Sequence, residues 1–308
     1  MKIAIMGSGG VGGYYGGLLA QQAHDVVFIA RGEHLEAIRK HGLQVKSVFG
    51  DFVVRPARAT DRPAELGKVD LILVCTKTYD AEEASRALLP MVGRETTVLS
   101  LQNGVDAADR IGEVAGRKHM IAGTTWISSA VERPGVIRQV SAFRRVVAGE
   151  PSGGITVRVK RVVAALKQAG VTAEASDNIQ GVLWQKFIFI AAAAGFGALT
   201  RLPIGAYRSI PRTRSRIVEL MEEADLVARA MGVKLGPDAV EQALLFMDSA
   251  GADLKASMQL DVETGRPTEI ESMIGVIGRE GRRLGVPTPT ADIIYDMLQP
   301  VELHAHRN

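Results

Sequence analysis

Cysteine is almost absent, with one residue, Cys75, in 308. A lone thiol excludes a disulfide framework and a cysteine-rich metal site. Its place after the apolar run Leu71-Ile72-Leu73-Val74 marks it as core packing in a reducing compartment. An excess of one charge is also missing: 37 Lys+Arg stand against 34 Asp+Glu, a formal net charge of +3. That is too little for a polyanion-binding footprint, so nucleic acid is not an expected partner, although a pI near 9.0 suits a phosphate-bearing cofactor or an acidic substrate. No basic, apolar, small-residue leader precedes Met1-Lys2-Ile3, so secretion is not expected and the cytoplasm is. No clean membrane span is present either. The nearest candidate, residues 182–199, carries Lys186 and reads as a buried helix. Internal repeats and low-complexity stretches are lacking. What remains, 46% hydrophobic and 23% charged over 308 residues, is the composition of a two-domain globular chain.

The organising stretch is the beginning, MKIAIMGSGGVGGYYGG. Ile3 and Ile5 lie in an apolar run too short for a helix. Gly7-Ser8-Gly9-Gly10-Val11-Gly12 then fits G-x-G-x-x-G, and Tyr14 to Gln22 can be helical. Strand, glycine turn and helix in that order form a dinucleotide-binding fingerprint. Gly7 permits the tight turn, Gly9 lets backbone amides reach a pyrophosphate, and Gly12 allows helix and strand to pack closely. The helix start then offers N–H donors and a positive dipole end to phosphates.

Residues 25–30 form a second buried strand that ends at Arg31. A carboxylate at that position binds a ribose 2′-hydroxyl, whereas a basic residue accommodates a 2′-phosphate, so Arg31 argues for NADPH over NADH, with Lys77 as a second cation. Residues 33–41 are helical, and 43–54 read as a hairpin around Gly50-Asp51. Strands at 69–76 and 96–101 end at Lys77 and at Gln102-Asn103-Gly104, and the carboxyl edge of a parallel sheet is where ligands bind. Asn103-Gly104 is either a turn or an amide facing the nicotinamide, and the residues alone leave both open. Residues 119–149 are β-rich, followed by a helix at 155–169 and a last strand at 172–175. The fold expected is α/β, a Rossmann-type doubly wound, mostly parallel sheet over 1–176, followed by an all-α helical domain over 177–308.

In the second half the helical segments are 179–199, 212–231, 238–249, 257–263, 269–284 and 290–301, with Thr268 and Glu271 spaced as a capping box. Lys186 stands out. Between Asp177 and Arg201 it is the sole ionisable side chain, in a helix with almost no polar face. It must snorkel, find a buried partner or line a cleft, and burial would lower its pKa into the range of a useful proton donor. Glu269, in the first turn of its helix, needs no ligand to be stabilised there, and Ser257 carries still less signal. Arg208, Arg212, Arg214 and Arg216 read as a solvated segment, and His304 and His306 as tail residues, not a metal site. Met221, Met247, Met258 and Met273 fit a core better than the face of a homodimer.

Taken together, GSGGVGG at 7–13, Arg31, TK at 76–77, LQNG at 101–104, WQK at 184–186, SMQLD at 257–261 and GRPTEIE at 265–271 resemble the ketopantoate reductase family, in order and spacing over essentially the whole chain. The resemblance implies NADPH-dependent reduction of 2-dehydropantoate to (R)-pantoate, on the pantothenate pathway, in a cleft between a Rossmann and a helical domain. It implies Lys186 as the catalytic lysine and Glu269 as the acidic residue that supports substrate binding. Asn103 then lies near nicotinamide and substrate, Ser257 binds substrate, and Arg31 and Lys77 contact the cofactor. Where many members place asparagines four and eight residues after the lysine, this chain has Ile190 and Ala194, an apolar wall that points to a different or more hydrophobic 2-keto acid. Two other readings stand beside this one, a β-hydroxyacid dehydrogenase-like enzyme and a non-catalytic NADPH-binding sensor.

Overall fold

The computed structural model describes residues 1–305, and His306 lies outside the described residues. The chain runs β1 (Lys2–Met6), α1 (Gly10–Ala20), β2 (Asp25–Ile29), α2 (Gly32–His41), β3 (Leu43–Ser47), β4 (Phe52–Val54), β5 (Arg58–Thr60), β6 (Leu71–Val74), α3 (Ala81–Leu88) and β7 (Thr97–Ser100). It continues through α4 (Ala107–Ala115), β8 (Met120–Trp126), β9 (Ser129–Arg133), β10 (Val136–Gln139), β11 (Arg145–Gly149), α5 (Val157–Gln168) and β12 (Thr172–Ala175). Among the described residues only helices follow: α6 (Ile179–Thr200), α7 (Ile204–Tyr207), α8 (Pro211–Ala230), α9 (Ala239–Ser249), α10 (Ser257–Glu263), α11 (Val276–Leu284) and α12 (Pro289–Ala305). A π-helical turn over Glu271–Gly275 leads into α11. Contacts divide the chain into two compact units. The first holds Met1–Gln102 and Ala107–Ile179, and the second holds Gln180 onward together with Asn103–Asp106, a four-residue segment lent by the first half of the sequence.

In the first unit an eight-stranded sheet runs in the order β12-β11-β8-β7-β6-β1-β2-β5. Its pairs are parallel except β8 with β11. Ile3, Ile5, Phe28, Leu71 and Leu73 on its central strands are at most 1% exposed, as expected of strands covered on both faces. This is the Rossmann-type doubly wound sheet. A second sheet, β4-β3-β10-β9, is not foreshadowed by the hairpin pattern. It forms because β10 pairs parallel with β3, a contact reaching back more than ninety residues that no local signal encodes.

Helix α1 lies between these two sheets, and its glycines are the reason it can. A Cβ on Gly12 or Gly16 would press within 2.9 Å of Ile5, in β1. On the opposite flank a Cβ on Gly10 would meet Ser129 O at 2.3 Å, one on Gly13 would meet Ile137 at 2.7 Å, and one on Gly17 would meet Phe52 at 3.0 Å. Glycine inside a helix costs about 1 kcal/mol relative to alanine. Here it is tolerated because the close approach buries Tyr14, Tyr15 and Leu19 completely.

The edge of the large sheet is tied to α5 by a charged knot. The Glu150 carboxylate, 5% exposed, accepts from Arg158 Nε (2.7 Å) and Thr156 Oγ1 (2.5 Å), and Arg158 Nη2 also donates to Met120 O (2.9 Å). Arg158 holds the Glu150 carboxyl below the usual carboxylate range against the opposing effect of burial. A depressed folded-state pKa adds stability above the ordinary carboxylate pKa, and that stability is lost as pH falls through the lowered value. Glu150→Gln therefore lowers stability by roughly 2 kcal/mol at pH 7, because it leaves a partly buried guanidinium unpaired. The difference from the parent shrinks below about pH 4, and thermal unfolding at both pH values measures it.

The second unit is built around α6, which is buried over most of its length. Two of its helix starts are capped from distant helices. Glu223 of α8 accepts from the N–H groups of Thr290 (2.7 Å) and Ala291 (2.8 Å) at the start of α12. The capping box expected at Thr268 and Glu271 does not form. Glu302 of α12 takes both the N–H (2.8 Å) and the hydroxyl (2.5 Å) of Thr268, while Glu271 accepts from the Tyr295 hydroxyl. A tertiary carboxylate has displaced the local one.

Candidate active site

The glycine turn has the geometry of an anion cradle. Gly7 has φ +90°, and a Cβ there would stand 2.7 Å from Thr76, so the turn itself demands glycine. Helix α1 closes its first turn through Gly13 N–H to Gly9 O (2.7 Å). The N–H groups of Gly10, Val11 and Gly12 therefore have no acceptor within the helix. Gly9 is the informative one. Its backbone is extended (φ −72°, ψ −156°) and a Cβ on it would meet nothing within 4 Å. Neither conformation nor packing within the chain calls for glycine, but a phosphate seated on the turn does. The residues present thus fit the pyrophosphate of a dinucleotide.

Ser8 does not take part as expected. It is 2% exposed, and both its N–H (3.1 Å) and its hydroxyl (3.0 Å) go to Ile29 O. It fastens the turn to β2 and has no donor left for a ligand. A residue not singled out in the sequence supports the turn from the other side. His34 of α2 donates from Nε2 to Ser8 O (2.9 Å) and accepts at Nδ1 from Gly135 N–H (3.1 Å), which joins the turn to the small sheet. Both bonds require the neutral ring with its proton on Nε2.

Arg31 caps the end of β2, with its side chain 70% exposed and paired to Glu83 at 2.5 Å. Such an exposed pair is worth little and leaves the guanidinium open to exchange for a phosphate. Lys77, half-buried, follows β6 in extended backbone. Gln102, at the end of β7, donates from Nε2 to Thr76 O (2.9 Å) and Lys77 O (3.2 Å). Its side chain therefore fixes the two carboxyl ends relative to one another, a role that only the paired strands reveal.

In the second unit, Lys186 of α6 donates from Nζ to Asn103 Oδ1 at 3.1 Å. Burial pulls the lysine pKa down to about 8, and the nearby Glu269 carboxylate resists that fall. Glu269 is 4% exposed and opens the helical run that contains the π turn, its carbonyl accepting from Ser272 N–H (3.1 Å) and Met273 N–H (2.9 Å). The arrangement is an ammonium that is desolvated, held by a neutral amide and close to neutrality in its titration. Such a group can protonate an oxygen that gains charge. Asn103 thus turns its amide oxygen to the lysine, while Gly104 beside it has the φ of +89° that a turn uses.

The half-buried side of α6 carries Val182, Gln185, Lys186, Phe189 and Ile190, spaced at three and four residues. Ile190 thus stands one turn from the lysine on its own side. Ala194 corrects the expected apolar wall. It is 1% exposed, inside a stretch buried from Ala191 to Ala198, so it packs the core and does not face a ligand. Ser257 begins α10 and is exposed. Sequence reasoning missed His34 and the bracing role of Gln102. Both act through contacts distant in sequence.

Comparison with known proteins gives the family. The family model described as "Ketopantoate reductase PanE/ApbA" matches residues 3–153, and "Ketopantoate reductase PanE/ApbA C terminal" matches 178–302. The 2-dehydropantoate 2-reductase of Mesorhizobium japonicum is 30% identical over 320 residues, covering 97% of each chain. A solved PanE/ApbA family ketopantoate reductase from Ralstonia eutropha is 33% identical, with a TM-score of 0.91 over 99% of this chain and 100% of that one. D-mandelate dehydrogenase, solved with NADH and anilino(oxo)acetate, is 25% identical, with a TM-score of 0.91 over 99% of both chains. A glycine turn shaped for a dinucleotide, a desolvated lysine on an amide and matches along both halves converge on one assignment: the chain belongs to the ketopantoate reductase family of oxidoreductases.

Proposed function

We propose that this chain uses NADPH to reduce a 2-keto acid to its 2-hydroxy acid, with 2-dehydropantoate to (R)-pantoate in pantothenate biosynthesis as the first choice and Lys186 as general acid. The observation that carries the reading is the Lys186 ammonium, desolvated in an apolar helix and bonded to Asn103. Bound NADPH supplies a hydride to the carbonyl carbon. The chain's own residues do the rest. Lys186 donates its proton to the carbonyl oxygen as charge builds there, becomes a neutral amine and regains a proton from solvent. Asn103 Oδ1 fixes the direction of Nζ, and Glu269 keeps the ammonium populated near neutral pH. The amides of Gly10, Val11 and Gly12 hold the pyrophosphate, and Arg31, with Lys77, takes the 2′-phosphate.

For the cofactor, the competing choice is NADH, which D-mandelate dehydrogenase holds in its solved complex. Arg31→Glu places a second carboxylate beside Glu83 and weakens NADPH binding about a hundredfold, with NADH affinity changed less than fivefold. Equilibrium titration of both nucleotides decides it, and equal losses for the two would count against a 2′-phosphate site at Arg31.

For the substrate, one observation favours a second reading. Ile190 offers no hydrogen bond one turn from the lysine, which suits a keto acid with an apolar side chain. NADPH oxidation with 2-dehydropantoate, against a panel of bulkier apolar 2-keto acids, separates the two by kcat/KM. Running the corresponding 2- and 3-hydroxy acids in the oxidative direction tests the β-hydroxyacid alternative.

A further inference from the structure

We propose that Arg279 is a positioning residue for Lys186: by gripping Asp106 it clamps the segment 103–106 to the second unit, so that Asn103 stays in register with the lysine. The inference rests on the reading of Lys186 as the acid. The segment lies between β7 and α4, both of which belong to the first unit, yet it packs with the second. Chain connectivity therefore does not hold it there, and side-chain and backbone contacts must.

Three of its residues make such contacts. Asn103 Oδ1 accepts from Lys186 Nζ (3.1 Å), Asp106 Oδ2 accepts from Arg279 Nη2 (2.9 Å), and a Cβ on Gly104 would stand 3.0 Å from Ser272 O. The first is the contact to be positioned. The third is a close approach that fixes distance but not direction. The bond from Arg279 to Asp106 is both charged and directional, and so can fix the segment's orientation.

The other ends of the second and third contacts share one helical run. Ser272 lies in the π turn over Glu271–Gly275, Arg279 lies in α11, which continues from it, and Glu269 opens the same run. Both neighbours of the lysine, the amide and the carboxylate, are thus set from one rigid element. A shift of the segment relative to that rod would part Asn103 from Nζ while leaving Glu269 in place. Arg279 opposes that shift.

Asp106 itself is a poor residue to mutate, because it immediately precedes α4 and a change would confuse helix capping with clamping. Arg279 is 46% exposed, and its charged neighbours are Asp106 and Glu280, so Arg279→Ala leaves the fold intact. The experiment compares the parent, R279A, R279K and K186M in the full chain. It reads kcat and KM for the keto acid, nucleotide affinity, thermal midpoint and, without substrate, the titration of Lys186 by 13C NMR of the reductively methylated protein.

We expect R279A to lower kcat about ten- to a hundredfold, as for an ångström of misplacement, with nucleotide affinity unchanged. The Lys186 titration moves up toward the ordinary lysine range as its amide partner withdraws and water enters. R279K keeps the charge and recovers part of kcat, and 1 M salt, which shortens the screening length to about 3 Å, lowers kcat of the parent more than that of R279A. A parent-like kcat and lysine titration in R279A, with or without a lower thermal midpoint, overturns the clamp while K186M remains inactive and the acid assignment stands. Turnover by K186M overturns the acid assignment itself, and the clamp with it.

Discussion

Replacing Lys186 with methionine lowers kcat by about 10³- to 10⁴-fold and leaves nucleotide affinity within about threefold. Methionine keeps the length and apolar character of the side chain, so the helix core is undisturbed. What disappears is the proton and the positive charge next to the oxygen that becomes an alkoxide. The same lysine sets the pH dependence. With Lys186 as the proposed acid, the ammonium is the active form; its pKa is about 8, so kcat is expected to hold at neutral pH and to fall as pH rises through that value. Glu269 raises the lysine pKa, so Glu269→Gln moves the falling limb to lower pH. Stability gives an independent reading. Burial lowers the folded-state pKa below the unfolded one, so the unfolded chain binds more protons between about pH 8 and about pH 10.5. Stability therefore gains a rising contribution across that window in the parent, and the K186M variant lacks it. Stopped-flow single turnovers and thermal unfolding from pH 6 to pH 10 measure both. Unaltered single-turnover rates would falsify the role of Lys186.

Gly9→Val abolishes tight dinucleotide binding, with a loss of about a hundredfold or more, at almost no cost in thermal stability. The two halves of that expectation come from one observation, the open space above the Gly9 Cβ position. The protein has nothing there for valine to strike, and the extended backbone accepts a β-branched residue. The pyrophosphate, in contrast, needs that volume. Gly12→Ala supplies the contrast, because its Cβ would lie 2.1 Å from Gly7 O and the turn itself would have to open. That variant loses stability first and binding as a result. Nucleotide titration alongside thermal unfolding separates the two, and a Gly9→Val protein that still binds NADPH as the parent does would place the phosphates elsewhere.

The features legible in the sequence are those written locally. The strand, glycine turn and helix from Lys2 to Ala20 carry their own signal, and so does a lone lysine among apolar residues in α6. The features that were not legible depend on partners far along the chain. Pairing of β10 with β3 makes the second sheet, and neither strand announces the other. Thr268 has a suitable local partner in Glu271, but Glu302 takes the bonds because tertiary packing brings a carboxylate into better position. Ser8 fits the fingerprint by spacing, yet Ile29 O claims both of its donors. Ala194 matches Lys186 in helical phase, and only the packing around the later turns of α6 shows that this phase has already gone inside. The boundary at 176 misses a segment of four residues, because composition changes along the sequence while contacts do not follow it.

Helix α1, gripped by glycine contacts on both flanks, has no slack. It cannot slide or tilt without lifting a β layer, so its amino end stands at a fixed height before any ligand arrives. Little freedom is left there to be lost on association, and the nucleotide meets a socket that is already set.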